Sequence, residues 1–164
     1  SEWKAEDQVV CGDAMPECSG TFGINMDYRG IFLNMSFYYQ FGGQTYNQTL
    51  VDRVENANVG LNVDKRIYNA VWKKPGDRVD FSYNPYRLTK PSSRFVQDLN
   101  ELRLSSLNVG YDFRHYAFLK KSRLQQLKAS FYMDDVFRAS TVKTERGLTY
   151  PFARTFSFSL QATF

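Results

Sequence analysis

The stretch Arg154-Thr155-Phe156-Ser157-Phe158-Ser159-Leu160-Gln161-Ala162-Thr163-Phe164 alternates without a break. Successive side chains of a β-strand point to opposite faces, so this period of two writes a strand with an apolar face (Phe156, Phe158, Leu160, Ala162, Phe164) and a polar one. The same period recurs upstream. Ser19 to Tyr28 sets Phe22, Ile24, Met26 and Tyr28 against Thr21, Gly23, Asn25 and Asp27. After Arg29-Gly30 it resumes over Ile31 to Phe41, with Ile31, Leu33, Met35, Phe37, Tyr39 and Phe41 against Asn34, Ser36 and Gln40, so the two runs read as a hairpin with a tight turn. Phe32 and Tyr38 break the polar parity. Leu102 to Phe113 puts Leu107, Val109, Tyr111 and Phe113 against Ser106, Asn108, Gly110 and Asp112, while Leu102 and Leu104 are out of phase, which predicts a bulge near Ser105. Leu124 to Asp134 sets Leu127, Ala129, Phe131 and Met133 against Lys128, Ser130, Tyr132 and Asp134.

None of the residues on these apolar parities is charged, in a chain that is 23% charged. Five two-faced strands are therefore expected, in one antiparallel meander. The connections between them alternate in length: Arg29-Gly30, then Gly42 to Glu101, then Arg114 to Arg123, then Asp135 to Ala153. Short and long ends thus segregate to opposite edges of the sheet, the asymmetry of transmembrane barrels with short periplasmic turns and long outer loops. A compact soluble domain rarely needs an irregular connection as long as 42–101. Within it, Asp64 to Lys73 reads as a short helix ended by Pro75-Gly76. Strands of about ten residues, rising ~3.3 Å each and tilted by roughly 40°, cover about 25 Å, the height of an apolar membrane band. The polar parities would then line a water-filled or plugged lumen, and the apolar ones would face lipid.

Composition agrees with β-structure: 11 Tyr, 14 Phe and 2 Trp sit in a chain whose mean hydropathy is -0.48. No stretch approaches the ~18 apolar residues that a membrane-spanning helix requires. Ser1 to Asp7 is charged and polar, so if the protein is exported its signal is expected outside this chain. The net charge of +4 comes from dispersed residues. The densest cluster, Lys120-Lys121-Ser122-Arg123, reads as a solvated turn, and no nucleic-acid partner is expected. Cys11 and Cys18 are close enough in sequence for a small disulfide loop in an oxidising compartment, or remain two free thiols.

The chain offers no catalytic constellation. His115 is the only histidine, beside Arg114 and Tyr116 in an expected turn, so neither a His-rich metal site nor a Ser/His/Asp arrangement can be assembled. Asp134-Asp135 are strand neighbours aimed at opposite faces, wrong for a cooperating acid/base pair. Gly42-Gly43 and Pro75-Gly76 are turn punctuation, not a phosphate loop. No enzyme, cofactor or metal is expected. Asn34-Met35-Ser36 and Asn47-Gln48-Thr49 match a glycosylation sequon incidentally. The aromatic residues of the long loop, Tyr46, Tyr68, Trp72, Tyr83 and Tyr86, are the candidate surface for a ligand or partner, because their faces stack on sugar rings or peptide groups.

The chain resembles the SusC/RagA-like TonB-dependent outer-membrane transporters of Bacteroidetes, in their last five strands. The likeness rests on Gly20-Thr21-Phe22-Gly23, Phe41-Gly42-Gly43-Gln44-Thr45-Tyr46, Ser93-Arg94-Phe95-Val96-Gln97-Asp98 before Leu102-Arg103-Leu104, and the ending Tyr150-Pro151-Phe152-Ala153-Arg154-Thr155-Phe156-Ser157-Phe158. It spans roughly Gly12 to Phe164. The resemblance implies the C-terminal part of a 22-strand barrel in the bacterial outer membrane, importing glycans or peptides with a SusD-like surface lipoprotein over its mouth. It also implies a plug and contact with the TonB complex, through N-terminal regions not in this sequence. Phe156, Phe158, Leu160 and Phe164 look like the signal that barrel-assembly machinery reads. The alternatives are a soluble β-sandwich module that binds carbohydrate, and a passive porin-type barrel.

Overall fold

The computed structural model describes residues 4, 6, 8–82, 89–116, 119, 124–144, 146, 150 and 152–164. Five strands form one sheet in the order of the chain: β1 (Cys18–Tyr28), β2 (Ile31–Tyr46), β3 (Val96–Asp112), β4 (Gln126–Ser140) and β5 (Phe156–Thr163). Among the described residues there is no second sheet, as a sandwich would require. Contacts divide the chain into two units: a sheet unit of 17–41, 100–140 and 153–164, and a loop unit of 1–16, 42–99 and 141–152.

In the sheet unit the first hairpin closes on two residues, with Tyr28 opposite Ile31. Arg29 and Gly30 have φ of 49° and 91°. Two positive φ values in a two-residue loop give the turn whose twist matches that of its strands. The register puts Phe22 opposite Phe37, Ile24 opposite Met35 and Met26 opposite Leu33, and stacks the Phe22 and Phe37 rings 4.8 Å apart. Phe32, which breaks the polar parity, is 8% exposed because it fills the space over Gly110, where a Cβ would meet its ring and the Ala129 carbonyl. The Lys128 ammonium lies 4.4 Å from the centre of that ring. The glycine is thus a socket for Phe32.

A register shift lies between Leu104 and Ser106, where bulging was expected, but the extra residue is on β4: Asp135, at φ 49°, and Val136 stand opposite Ser105. The shift has a reason in the pattern. The apolar parity of β3 changes at Ser105 while that of β4 does not, and slipping by one residue pairs Leu107 with Met133 below the bulge and Leu104 with Phe137 and Leu102 with Ala139 above it. β4 therefore continues to Ser140 instead of ending at Asp134. β3 likewise starts at Val96, not Leu102, and ends at Asp112, one residue before Phe113 turns into a 3₁₀ turn (Phe113–His115) capped by the Asp112 carboxylate. β5 is shorter than the alternation of its residues, Phe156 to Thr163.

The loop unit corrects the picture of an irregular 42–101. β2 runs on to Tyr46, and helical structure follows at Gln48–Leu50 (α1) and Val51–Glu55 (a π-helical turn). Asn47, 1% exposed, starts it: its Oδ1 accepts from the Leu50 N–H at 3.2 Å and its Nδ2 donates to Gln97 Oε1 at 2.8 Å. Leu50, Val51, Val54, Val71 and Phe95 form a buried core, with Tyr46, Ile67 and Phe81 packed around it. The expected helix 64–73 shrinks to α2 (Ile67–Ala70), because Val71 leaves it to pair in a bridge with Phe81. A single turn does not nucleate in isolation. It is held by Asp64, whose carboxylate accepts from the Arg66 N–H at 2.8 Å, from Nε at 2.9 Å and from Nη2 at 2.5 Å.

The Asp64 side chain is fully buried. Burial alone would raise its pKa, but the Arg66 hydrogen bonds and charge outweigh it and hold the carboxyl below its usual 3.8. A depressed carboxylate contributes stability that is present above its unfolded pKa and lost as pH falls through the folded one. Acidification below the ordinary carboxylate range is expected to speed hydrogen exchange at the Arg66 and Ile67 amides, and Asp64→Asn to remove that pH dependence. Equal acid sensitivity in wild type and Asp64→Asn would contradict it.

Candidate functional site

Two surfaces follow from this fold, one in each unit. On the sheet, the apolar parity is laid bare over a wide face: Phe22, Met26, Tyr28, Ile31, Phe156, Phe158 and Leu160 are all exposed, Phe158 by 72%. Exposed apolar area of this extent marks a surface that meets lipid or another protein. Of the expected assembly residues, Phe156, Phe158 and Leu160 lie on β5, and Phe131 pairs with Phe158. Phe164, 81% exposed, lies just past the strand.

The opposite face is polar and partly locked. Asn25 pairs with Asn34, Asn108 with Tyr132, and Ser130 with Ser159. The Tyr132 hydroxyl donates to Asp134 at 2.5 Å, so this carboxylate is bound within its own strand, while its neighbour Asp135 occupies the bulge. At the turn end of the sheet, Asp112 accepts from Arg114 Nε at 2.9 Å, Arg114 Nη2 at 2.5 Å and Gln126 Nε2 at 2.9 Å. That ties β3 to β4 across their connection. His115 falls in the 3₁₀ turn beside it.

In the loop unit the described aromatic candidates, Tyr46, Tyr68 and Trp72, do not line a common depression. Tyr46 is half-buried, edge-on to Phe95 at 5.9 Å, and lines a cleft of about 660 Å³ with Gly12, Gln44, Ser92 and Val96. Burial raises its phenol above the usual 10.0, against the lowering effect of the Ser92 backbone, and Asp52 and Glu55 add to the rise. Tyr68, 70% exposed, borders a separate depression of about 540 Å³ with Lys65, Arg66, Arg78 and Asp80. Its ring lies 5.9 Å from the Lys73 ammonium, which also donates to its carbonyl. Trp72 is 48% exposed and lines neither. Tyr83, Tyr86 and the Lys120–Arg123 cluster lie outside the described residues. Cys11 and Cys18 are exposed free thiols. Among the described residues no group of His, Cys, Asp and Glu could hold a metal ion, and no helix is long and apolar enough to cross a membrane.

Sequence reading missed the buried charges. Glu55, 3% exposed, is paired with Arg94 and accepts from Thr89 Oγ1 at 2.7 Å. Arg94 in turn lies over Phe95, 4.8 Å from its centre, and over Phe81 at 5.8 Å. On the sheet, Glu101 is paired with Arg138 at 2.6 Å. These partners are tens of residues apart, and no local pattern joins them.

A curated relative aligns over 184 residues at 26% identity, covering 99% of this chain: TonB-dependent receptor P3 of Formosa agariphila. The chain is thus similar to a TonB-dependent receptor over almost its whole length. It covers 18% of the length of that receptor. Among solved structures, the RagAB peptide importer in its open-open state matches with a TM-score of 0.67 at 16% identity, over 100% of this chain and 19% of that one. That likeness shows the fold alone, a five-stranded antiparallel sheet like a stretch of that importer. No protein-family model matches.

Proposed function

We propose that this chain is part of the C-terminal barrel wall of a bacterial outer-membrane TonB-dependent transporter, importing glycans or peptides with a SusD-like lipoprotein. The observation that carries the reading is the sheet itself: one layer of long strands, apolar and exposed on one face, polar on the other, with edge strands β1 and β5 each paired on one side only among the described residues. An open edge in a bilayer leaves backbone groups unsatisfied at several kcal/mol each, so both edges need further strands. A plug and the contact with the TonB complex belong to regions outside this sequence.

On this reading the apolar face meets outer-membrane lipid, Arg29-Gly30 is a periplasmic turn, and the loop unit lies outside the cell, where Tyr46, Tyr68 and Trp72 can meet cargo or the lipoprotein. Phe156, Phe158, Leu160 and Phe164 would also serve as the barrel-assembly signal. The passive-porin alternative is disfavoured by the name of the curated relative.

Native Cys11, in the loop unit, supplies a reporter of topology. In the full-length protein carrying Cys18→Ser, a membrane-impermeant maleimide is expected to label Cys11 on intact cells. Arg29→Cys in a Cys11→Ser, Cys18→Ser background should be labelled only after the outer membrane is opened. Labelling of Arg29→Cys on intact cells would overturn the orientation, and export of the protein to any compartment but the outer membrane would overturn the reading.

A further inference from the structure

Arg103 and Arg138 stand directly opposite one another in the β3–β4 ladder. Like charges in directly opposed positions repel and cost stability. One carboxylate lies between them: Glu101, 6% exposed, accepts from Arg138 Nη2 at 2.6 Å and lies 4.0 Å from Arg103 Nε. The arrangement is half-buried, with the two arginine side chains 42% and 29% exposed. Arg103 is held in place by Tyr38, its guanidinium carbon 5.2 Å from the ring centre. Tyr38 alternates along β2 with Phe37 and Tyr39 of the apolar face, which puts the cluster on the polar face, and its hydroxyl is engaged by Gln40 at 2.7 Å.

Two guanidinium groups share the Glu101 carboxylate, and each keeps an unused N–H donor. The Nε groups of Arg103 and Arg138 are both buried without a hydrogen-bond partner. Donors left unmet in such a place are costly, and the fork of a guanidinium matches a carboxylate in particular. The bulge at Ser105 and Asp135 sits two to three residues away and re-aims this stretch of both strands.

We propose that Arg103 and Arg138 anchor a carboxylate-binding site on the polar face of the sheet. The carboxylate comes from an acidic side chain elsewhere in the full-length protein or from the transported cargo. The position of this face toward the lumen rests on the transporter reading, but the binding of a carboxylate does not.

The test is thermal unfolding of the purified full-length protein in detergent, comparing wild type with Arg103→Gln. The substitution leaves Arg138 and Glu101 as a balanced pair, so simple crowding of two cations predicts that Arg103→Gln melts at or above the wild-type temperature. If the protein supplies its own carboxylate, Arg103→Gln melts lower with nothing added, and N-acetylglutamate leaves the wild type unchanged. If the site is open to cargo, N-acetylglutamate raises the wild-type melting temperature while neutral N-acetylglutamine does not, and the response of Arg103→Gln is about tenfold weaker or more. Arg103→Gln melting at or above the wild type, with neither protein responding to N-acetylglutamate, overturns the proposal. Should the Gln variant fail to assemble, Arg103→Lys keeps the charge and loses the fork. It is then expected to show the same changes to a smaller degree, and its identity with wild type in both measurements would equally overturn the site.

Discussion

Phe158→Arg in the full-length protein is expected to lower its level in the outer membrane severalfold, while Ser159→Arg leaves it near wild type. Phe158 is the middle of the exposed aromatic row on β5, 72% exposed and paired with Phe131. If that row faces lipid, an arginine there costs about 2–4 kcal/mol at the bilayer midplane. Ser159, one residue along, pairs with Ser130 on the polar face, where a long cation reaches water. The comparison holds strand, neighbourhood and added charge constant and changes only the face. Membrane fractionation and heat-modifiable mobility of both variants would measure it. Equal loss of the two would show that this part of β5 tolerates no bulk on either side, and equal retention would show that the apolar face does not meet the bilayer. In the same assay, Phe164→Ser against Thr163→Ser tests the assembly-signal proposal, which expects loss of the first alone.

Arg94→Ala carries the second large effect, confined to the loop unit. Glu55 is buried at 3% exposure, and its charge is met by Arg94 with help from the Thr89 hydroxyl. Truncating the arginine strands a buried carboxylate and strips the cover from Phe81 and Phe95, at a cost of about 3 kcal/mol. Glu55→Gln is expected to be milder, because the guanidinium it leaves behind is half exposed. Combined with Arg94→Ala, Glu55→Gln should recover part of the loss by removing the stranded charge. Hydrogen exchange over residues 50–56 of the full-length protein would report the opening, with the amides of β1 and β2 as an internal standard. Unchanged protection in Arg94→Ala would mean that the apolar core of Leu50, Val54 and Phe95 alone holds the loop.

Strand existence, facing and order near the hairpin were legible from single residues. Phe22 to Tyr28 and Ile31 to Phe41 alternate, Arg29-Gly30 can take two positive φ values, and the observed register follows directly. These features depend on side-chain direction and local backbone sterics, which each residue carries with it. The change of phase at Ser105 was legible too, as a departure from the period of two. Which strand would absorb it was not, because that depends on the partner: β4 takes the extra residue so that Leu104 meets Phe137.

What only the tertiary structure decided is of that second kind. The end of the helical turn at the Val71–Phe81 bridge, the Asn47 bond to Gln97 and the pairing of Glu55 with Arg94 each need groups that lie further along the chain, and no periodicity records them. Tyr46, Tyr68 and Trp72 looked alike in sequence, since an aromatic residue in a polar loop carries no sign of what will pack on it. The fold seated Tyr46 against Phe95 and left Tyr68 and Trp72 in water. The opposition of Arg103 and Arg138 has the same origin: each is an ordinary strand arginine until the ladder sets them face to face. The sequence by itself determined the two faces of the sheet, because alternation is a local property, while the three-dimensional pairing determined which charges meet on the polar one, because register is not.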